Sequence, residues 1–388
     1  MHIGYVSTFP PMRCAIGVYT QKLARALTQL DGAPRVTVLA EQGAAAGEDH
    51  PGVSVLPLYR RDEDYVDAIE RGAVEAGCEL VHFQHAGDLL GVDERLPRLL
   101  ARLKSRGIRT VVTLHTVYDE TPGELFHGGG KHAAFYRELS RELSQFVVHH
   151  DEGCATKLQS QGIAREQLTV IPHGTSRMAL PDARESRRVL GLPEEGFYFT
   201  FFGFIHLQKN VHRVVQAFAR IAGDFPQAHL LVSGMPWGDR WYNHLYTGLM
   251  KARVAVGRLG AQIHLRDSYL PAEHVPHVYG ASDAMLLPHN QSYGSASGVF
   301  HQAIGAGKPV LCAIGPKFVD AQRALADVPE LCVPPTDIGA WAAAMRRVLE
   351  QPELLARGQR AVEAYATATE WPTVADAHAR LYARLLAP

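Results

Sequence analysis

Short apolar runs alternate with amphipathic stretches along nearly all of this sequence, and that alternation constrains the fold more than any single motif. In the first half, apolar runs fall at 2–7, 36–39, 53–56, 80–83, 110–114, 146–149 and 168–171. Between them Leu23, Leu27 and Leu30 share one helical face, and further helical spacing falls near 64–76, 94–105, 133–143 and 152–160. Continuous apolar runs suit strands covered on both faces, and strands separated by helices predict a parallel, doubly wound sheet.

After Gly174 the texture changes. Residues 176–196 are rich in Pro, Arg and Glu and read as a connection between domains. A second alternation opens at 198–203, with apolar runs at 229–233, 262–265, 284–287, 310–313 and 331–333. Helical patterns near 210–222, 239–256, 272–281, 297–306 and 338–350 separate them. The chain thus lays out one α/β plan twice without a detectable sequence repeat: 1–178 and 197–368 as domains, 179–196 as linker. In a last segment, 369–388, a helix near 373–386 has an apolar stripe too regular for a free tail, and Trp371 is placed to dock its start.

At 388 residues there is room for two domains, each with its own core. A formal charge of −1 argues against a broad nucleic-acid footprint. No apolar run approaches the roughly 18 residues of a membrane span, and no signal-peptide pattern is visible, so a cytoplasmic protein is expected. Five scattered cysteines without a C-x-x-C pair read as reduced thiols and not as a zinc ribbon.

Ligands of doubly wound sheets gather at the carboxyl ends of the strands. Polar residues collect there: Gln84 and His85; His115, Thr116 and Tyr118; His149, His150 and Asp151; and His173 beside Gly174. One histidine in such a place is commonly a structural hydrogen-bonder, whereas several on one sheet edge point to a site. Two prolines stiffen the loop 8–17, where Arg13 sits, and Gly17 lets backbone approach closely at a helix start. In the second half, 292–310 reads as a polar turn, a helix and a strand. Ser295 or Ser297 can cap that helix, and the open amides near Gly298 and Val299 suit a phosphate. An ordinary βαβ turn has the same pattern.

Laid out in order, these pieces resemble the retaining GT-B glycosyltransferases of family 4. The resemblance runs from Phe9-Pro10-Pro11-Met12-Arg13-Cys14-Ala15-Ile16-Gly17-Val18-Tyr19-Thr20 through Val81-His82-Phe83-Gln84-His85, Thr113-Leu114-His115-Thr116 and Val170-Ile171-Pro172-His173-Gly174. It continues with Gly203 and Lys209-Asn210, then 281–288, and ends in Ser297-Gly298-Val299 and Gly305-Ala306-Gly307-Lys308-Pro309-Val310. It implies two Rossmann-like domains facing across a cleft, with the last helix crossing back to the first. The second domain would hold a nucleoside-diphosphate sugar and the first most of the acceptor.

By the same resemblance Lys209 would stabilise the departing diphosphate and His115 would contact the donor sugar. Gly17, His206, Ser297, Gly298, Val299, Gln302 and Arg266 become donor-side candidates; Arg13, His85, Tyr118 and His173 become acceptor-side candidates. The family implies no cofactor, no metal and no covalent protein nucleophile. Two departures stand out. Phe204 occupies the place of an arginine common in the family, leaving His206 as the nearest polar group. The family's Glu-x7-Glu pair is missing, with Gly294 and Gln302 in its places. These departures keep two other readings open: a phosphorylase or pseudo-glycosyltransferase, and an idle nucleotide-sugar-binding partner protein.

Several features have plainer explanations. Asp62-Glu63-Asp64 sits where a helix should begin and reads as capping. Gly305–Pro309 lacks the Ser/Thr of a P-loop and follows its helix. His274 with His277, and His149-His150-Asp151, could bind metal but lack a complete ligand set. The basic run Arg95, Arg98, Arg102, Lys104, Arg106 and Arg109 is a solvated face or, at most, a peripheral contact with anionic lipid or a polyanionic acceptor. Trp237 and Trp241 could border a binding site or simply pack. The sequence leaves the oligomeric state unknown.

Overall fold

The structure is a computed structural model that describes residues 1–118, 131–238, 241–257 and 259–387. The chain forms two compact units. One comprises Met1–Gly174, Ser292–Ala296 and Thr369–Pro388; the other Thr175–Gln291 and Ser297–Ala368.

The first unit is built on β1 (His2–Ser7), β2 (Arg35–Glu41), β3 (Gly47–His50), β4 (Val53–Tyr59), β5 (Leu80–His85), β6 (Arg109–Leu114), β7 (Gln145–Val148) and β8 (Leu168–Val170). Their order is β3-β4-β2-β1-β5-β6-β7-β8, parallel except for the antiparallel edge strand β3. Every residue of β1 and β5 is buried, as expected for central strands covered by helices on both faces. The short polar strand Gly47–His50 has no apolar period, which is why it is silent in the sequence.

The helix Trp371–Leu386 belongs to this first unit, although it is the last element in sequence. It buries Trp371, Val374, Ala375, Leu381 and Tyr382 in one cluster with Tyr5, Leu23 and Leu27. A polar chain fastens it to the sheet. The Tyr382 hydroxyl meets the Tyr5 hydroxyl at 2.5 Å and His82 Nδ1 at 2.6 Å, while His82 Nε2 lies 2.7 Å from Thr113 Oγ1. Gly174 has no side chain because a Cβ there would strike the Trp371 ring at 2.4 Å.

The second unit is an all-parallel sheet of β9 (Phe197–Phe202), β10 (Ala228–Ser233), β11 (Ile263–Arg266), β12 (Ala284–Leu287), β13 (Val310–Ala313) and β14 (Cys332–Val333). The order is β11-β10-β9-β12-β13-β14, which makes β9 and β12 the central pair. Helix Pro352–Ala368 packs on it through Leu354, Val362 and Ala366, and Gly358 leaves room for Leu331.

The stretch 179–196 is not a free linker. Helix Ala183–Val189 lies within it, capped by Asp182, whose carboxylate accepts from the amides of Arg184 and Glu185. Arg187 is buried, donates to Asp283 at 2.9 Å and lies over the Tyr198 ring. Leu190 and Leu192 join Tyr198, Leu231, Val278 and Ala281 in a core cluster of the second unit. Charges that looked solvated in sequence are thus internal partners.

The basic run has a similar outcome. Arg95 pairs with Asp93, Arg98 with Asp64, Arg102 with Asp67 and Glu70, Lys104 with Glu142, and Arg106 with Glu70. Neighbouring carboxylates neutralise most of this face, so it is a poor match for anionic lipid. Asp64 also accepts from the amide of Val66, the capping role expected at the start of Val66–Glu75. No described helix is long and apolar enough to cross a membrane.

Candidate functional site

Two sets of polar residues collect at strand ends, one in each unit. In the first unit, Tyr19 is the hub. It projects from helix Ala15–Leu27, and its ring makes edge contacts with His115 (4.9 Å between centroids), His149 (5.7 Å), His173 (5.1 Å) and Trp371 (5.1 Å). The imidazoles are linked. His115 Nε2 lies 2.8 Å from Gln84 Oε1, His115 Nδ1 lies 3.3 Å from His149 Nε2, and His149 Nδ1 faces the Ile171 carbonyl at 3.2 Å. His173 Nδ1 bonds the Gly174 carbonyl at 2.8 Å. Burial pushes the Tyr19 hydroxyl well above the ordinary phenol range, so it stays protonated.

The other first-unit candidates divide. His85 is 2% exposed and bonds the Gly91 carbonyl at 2.9 Å, and burial lowers its pKa to about 4. That makes it a neutral anchor for the turn after Gly87–Leu90, apart from the imidazole set. Tyr118 is half-buried and stacks against His132 and Tyr293, at 4.3 and 5.3 Å. Arg13 is exposed. Gly17 is buried in the first helical turn, and a Cβ there would lie 3.0 Å from the Thr8 carbonyl; close packing of that loop requires the glycine.

Gly294 is the other informative glycine. Its segment, Ser292–Ala296, belongs to the first unit and pairs antiparallel with Val117 through amide–carbonyl bonds of 2.8 and 2.9 Å. A Cβ at Gly294 would fall 1.8 Å from the Gly153 carbonyl oxygen. The position expected to carry a sugar-binding carboxylate has no room for any side chain.

The second unit gathers cations. Lys209 ends the turn Leu207–Lys209 after β9, and the next residue, Asn210, adopts a left-handed conformation (φ 53°) while its side-chain Nδ2 donates to the Pro335 carbonyl at 3.1 Å. That reversal fixes the lysine. Lys209 is half-buried, and among the described residues no carboxylate pairs with it. Loss of solvent, together with the nearby Lys317 ammonium, brings its pKa down to about 7. His206 is lowered to about 4, chiefly by burial and then by Lys209 and Lys317. His289, just past β12, is lowered further by burial and by the same two lysines and His206. The Asn290 amide donates to the Gln208 carbonyl at 2.9 Å, tying the His289 stretch to the Lys209 turn.

Helix Gly298–Gly305 lies in the same unit. Ser297 caps it, its hydroxyl accepting from the Phe300 amide at 3.3 Å, which leaves the Gly298 and Val299 amides without intrahelical acceptors. Val299 packs at the end of β9, where a Cβ on Gly203 would be 3.6 Å from its Cγ2. Gln302, on the same helix, is exposed; its side-chain carbonyl accepts from the Tyr279 hydroxyl at 3.1 Å, and its amide group faces outward in donor capacity. Arg266 lies apart at the end of the edge strand β11, with a buried Nε that has no partner among the described residues. Phe204 and Trp237 are exposed near His206, whose ring lies 5.4 Å from that of Trp237. Trp241 is 74% exposed, and Asp239 and Arg240 lie outside the described residues.

Basic groups and the open amides of a helix start in one unit, with no carboxylate paired to Lys209 among the described residues, are what a multiply charged phosphate needs. Sequence reading has Tyr19 only as part of a motif, without a role, and missed His289 and Lys317. The rule of polar residues at strand ends, carried one strand further, finds His289; nothing in sequence brings Lys317 to it.

Two family profiles divide the chain between them. One described as "Glycosyltransferase Family 4" matches residues 16–177, and one described as "Glycosyl transferases group 1" matches residues 182–364. Among curated proteins, a D-inositol 3-phosphate glycosyltransferase of Geodermatophilus obscurus is 29% identical over 259 residues, which is 63% of this chain. The matched stretch spans 53% of that relative's own length. Among solved structures, sucrose-phosphate synthase from Thermosynechococcus elongatus superposes with a TM-score of 0.77 at 18% identity, covering 99% of each chain. An Anabaena protein crystallised with UDP gives 0.75 at 15% identity, covering 99% of this chain and 100% of that one. Likeness at such identities concerns the fold.

Proposed function

Because this chain belongs to the group 1 glycosyltransferases of family 4, we propose that it transfers a sugar from a nucleoside-diphosphate sugar to an acceptor hydroxyl, with retention at the anomeric carbon. One observation carries the reading: Lys209 is a desolvated cation with no carboxylate partner among the described residues, in the same unit as a helix that starts with the open amides of Gly298 and Val299. The bond that breaks leaves negative charge on a diphosphate, and a preset ammonium and helix start stabilise that charge without reorganising. The pKa near 7 suits the task, since an arriving anion favours the charged form of the lysine. The Gln302 amide is placed for a ribose hydroxyl, and Ser297 and His206 flank the phosphate positions.

In the first unit, His115 is the donor-sugar contact of this proposal. Its ring is held by Gln84 and His149, so its orientation is set before any ligand arrives. Arg13, Tyr118 and His173 remain acceptor-side proposals. With no side chain possible at Gly294, sugar recognition must come from other groups, and the acceptor can be a glycan, a lipid-linked sugar or a small molecule. UDP is a reasonable first nucleotide, since the Anabaena protein of like fold was crystallised with it.

Release of nucleoside diphosphate, measured with a panel of UDP-, GDP- and ADP-sugars and candidate acceptors, tests the reading. Turnover with product of retained anomeric configuration is expected. Tight nucleotide binding without turnover on any acceptor would favour the idle binder, and sugar-phosphate formation from inorganic phosphate would favour the phosphorylase.

A further inference from the structure

His289 is 3% exposed and lies between the rings of Phe201 (6.2 Å) and Phe318 (4.9 Å). Neither of its ring nitrogens has a hydrogen-bond partner among the described residues. A buried polar atom left unbonded costs about 1–3 kcal/mol, and this ring has two. The charged or titratable groups that act on it are Lys209 and His206, from the segment after β9, and Lys317, from the turn Pro316–Phe318. All three are bases, and no carboxylate among the described residues acts on the ring. Burial first, and then the cations, keep a proton off the imidazole; a bound anion reverses the second of these.

We propose that His289 is a ligand-binding residue of the diphosphate site, and that it takes up a proton as the diphosphate binds and then donates a hydrogen bond to a phosphate oxygen. The inference rests on the donor reading of the Lys209 cluster. One N–H bond forms at a ring nitrogen, the proton coming from buffer acid, and no other bond changes. The cluster then gains positive charge only when a phosphate is present to balance it, instead of holding several like charges together beforehand. The phosphate oxygen thereby gives one of the two unpartnered imidazole nitrogens an acceptor once the site is filled.

The test is calorimetry on the full chain near pH 7 in two buffers of different ionisation enthalpy, with inorganic pyrophosphate, UDP and GDP as probes. Lys209 also gains proton in this range, so the decisive quantity is the difference between the parent protein and His289→Gln. Glutamine can still hydrogen-bond but cannot take a proton. The variant is expected to take up measurably less proton per pyrophosphate bound and to bind roughly tenfold more weakly. His289→Phe, which keeps ring volume between Phe201 and Phe318, should show the same loss if the glutamine variant folds poorly. Histidine carbon NMR on the unsubstituted protein gives a readout free of mutation: one buried imidazole should pass from neutral to protonated as pyrophosphate saturates the site. Equal proton uptake and affinity in all three proteins, or a ring that stays neutral at saturation, overturns the proposal. A His289 response to pyrophosphate without binding of any nucleotide would remove the donor reading alone. Nucleotide binding with no His289 response would remove this inference alone, and no binding by any probe would remove both.

Discussion

The imidazoles of the first unit and the bases of the second are built by the same rule and finished in opposite ways. In the first, His115 and His149 bond each other and end on Gln84 and the Ile171 carbonyl. In the second, Lys209 has no carboxylate and His289 no hydrogen bond among the described residues. Imidazoles that bond each other hold a shape, although the Tyr19 hydroxyl and the Gln84 amide nitrogen beside them have no partner among the described residues; Lys209 and His289, with no acid partner among the described residues, have an anion as their complement. The contrast teaches that clustering at strand ends is not itself the signal of binding. The signal is what the cluster lacks after the fold has satisfied everything it can.

The contrast can be broken most directly at Lys209. Lys209→Ala should lower turnover about 10²–10³-fold while leaving the melting temperature unchanged, as removal of one preset donor to a leaving anion does elsewhere. Unchanged steady-state kinetics would erase the distinction between the two sets. Gly294→Ala should act the other way, on stability, because its Cβ would sit 1.8 Å from the Gly153 oxygen; a loss of about 3 kcal/mol in denaturant unfolding is expected.

Two pH experiments sharpen the comparison. His82 and His378 are buried and held below their ordinary pKa, His378 at about 4, by burial first of all. Their unfolded forms bind protons below about pH 6.5 while the folded forms do not, so stability is present above that value and is lost as pH falls toward 4. Each contributes a slope of up to about 1.4 kcal/mol per pH unit, readable as a falling urea midpoint. Lys209 behaves in reverse with respect to its ligand. Diphosphate favours the ammonium, so affinity should weaken by up to about tenfold per pH unit above 7, and titration calorimetry across that range checks it. The smallest effect expected is that of His149→Asn. It should cost about 1 kcal/mol of stability through the lost His115 bond and leave UDP affinity unchanged. A weakened UDP affinity would mean that the imidazole set also serves the nucleotide.

The fold was largely legible because buried parallel strands write themselves as continuous apolar runs, and the central strands β1, β5, β9 and β12 are of that kind. What escaped was polar structure with internal partners. Arg187 sits in a stretch whose composition suggests a solvated linker, yet it reaches Asp283 across nearly a hundred residues of sequence, a pairing no local pattern encodes. Helix Pro352–Ala368 went unseen because its apolar positions are sparse. At the site, Lys209 was singled out by a resemblance in order and spacing, and Ser297–Val299 first by the pattern of a polar turn opening a helix. His289 and Lys317 did not, since their meaning lies in mutual proximity. The missing carboxylate at 294 was visible as a departure; the reason, a carbonyl oxygen occupying the space, belongs to three dimensions.

The ownership of helix Trp371–Leu386 by the first unit has a consequence for biosynthesis. A ribosome releases Tyr5 and His82 long before Tyr382, so the amino-terminal sheet emerges with one polar chain unfinished and waits through the whole second unit for its closing residue. Co-translational folding of this protein is therefore not strictly one lobe after the other. A nascent chain stalled before residue 369 should expose the Tyr5–Leu23 surface to chaperones, and release of the last helix is the event that withdraws it.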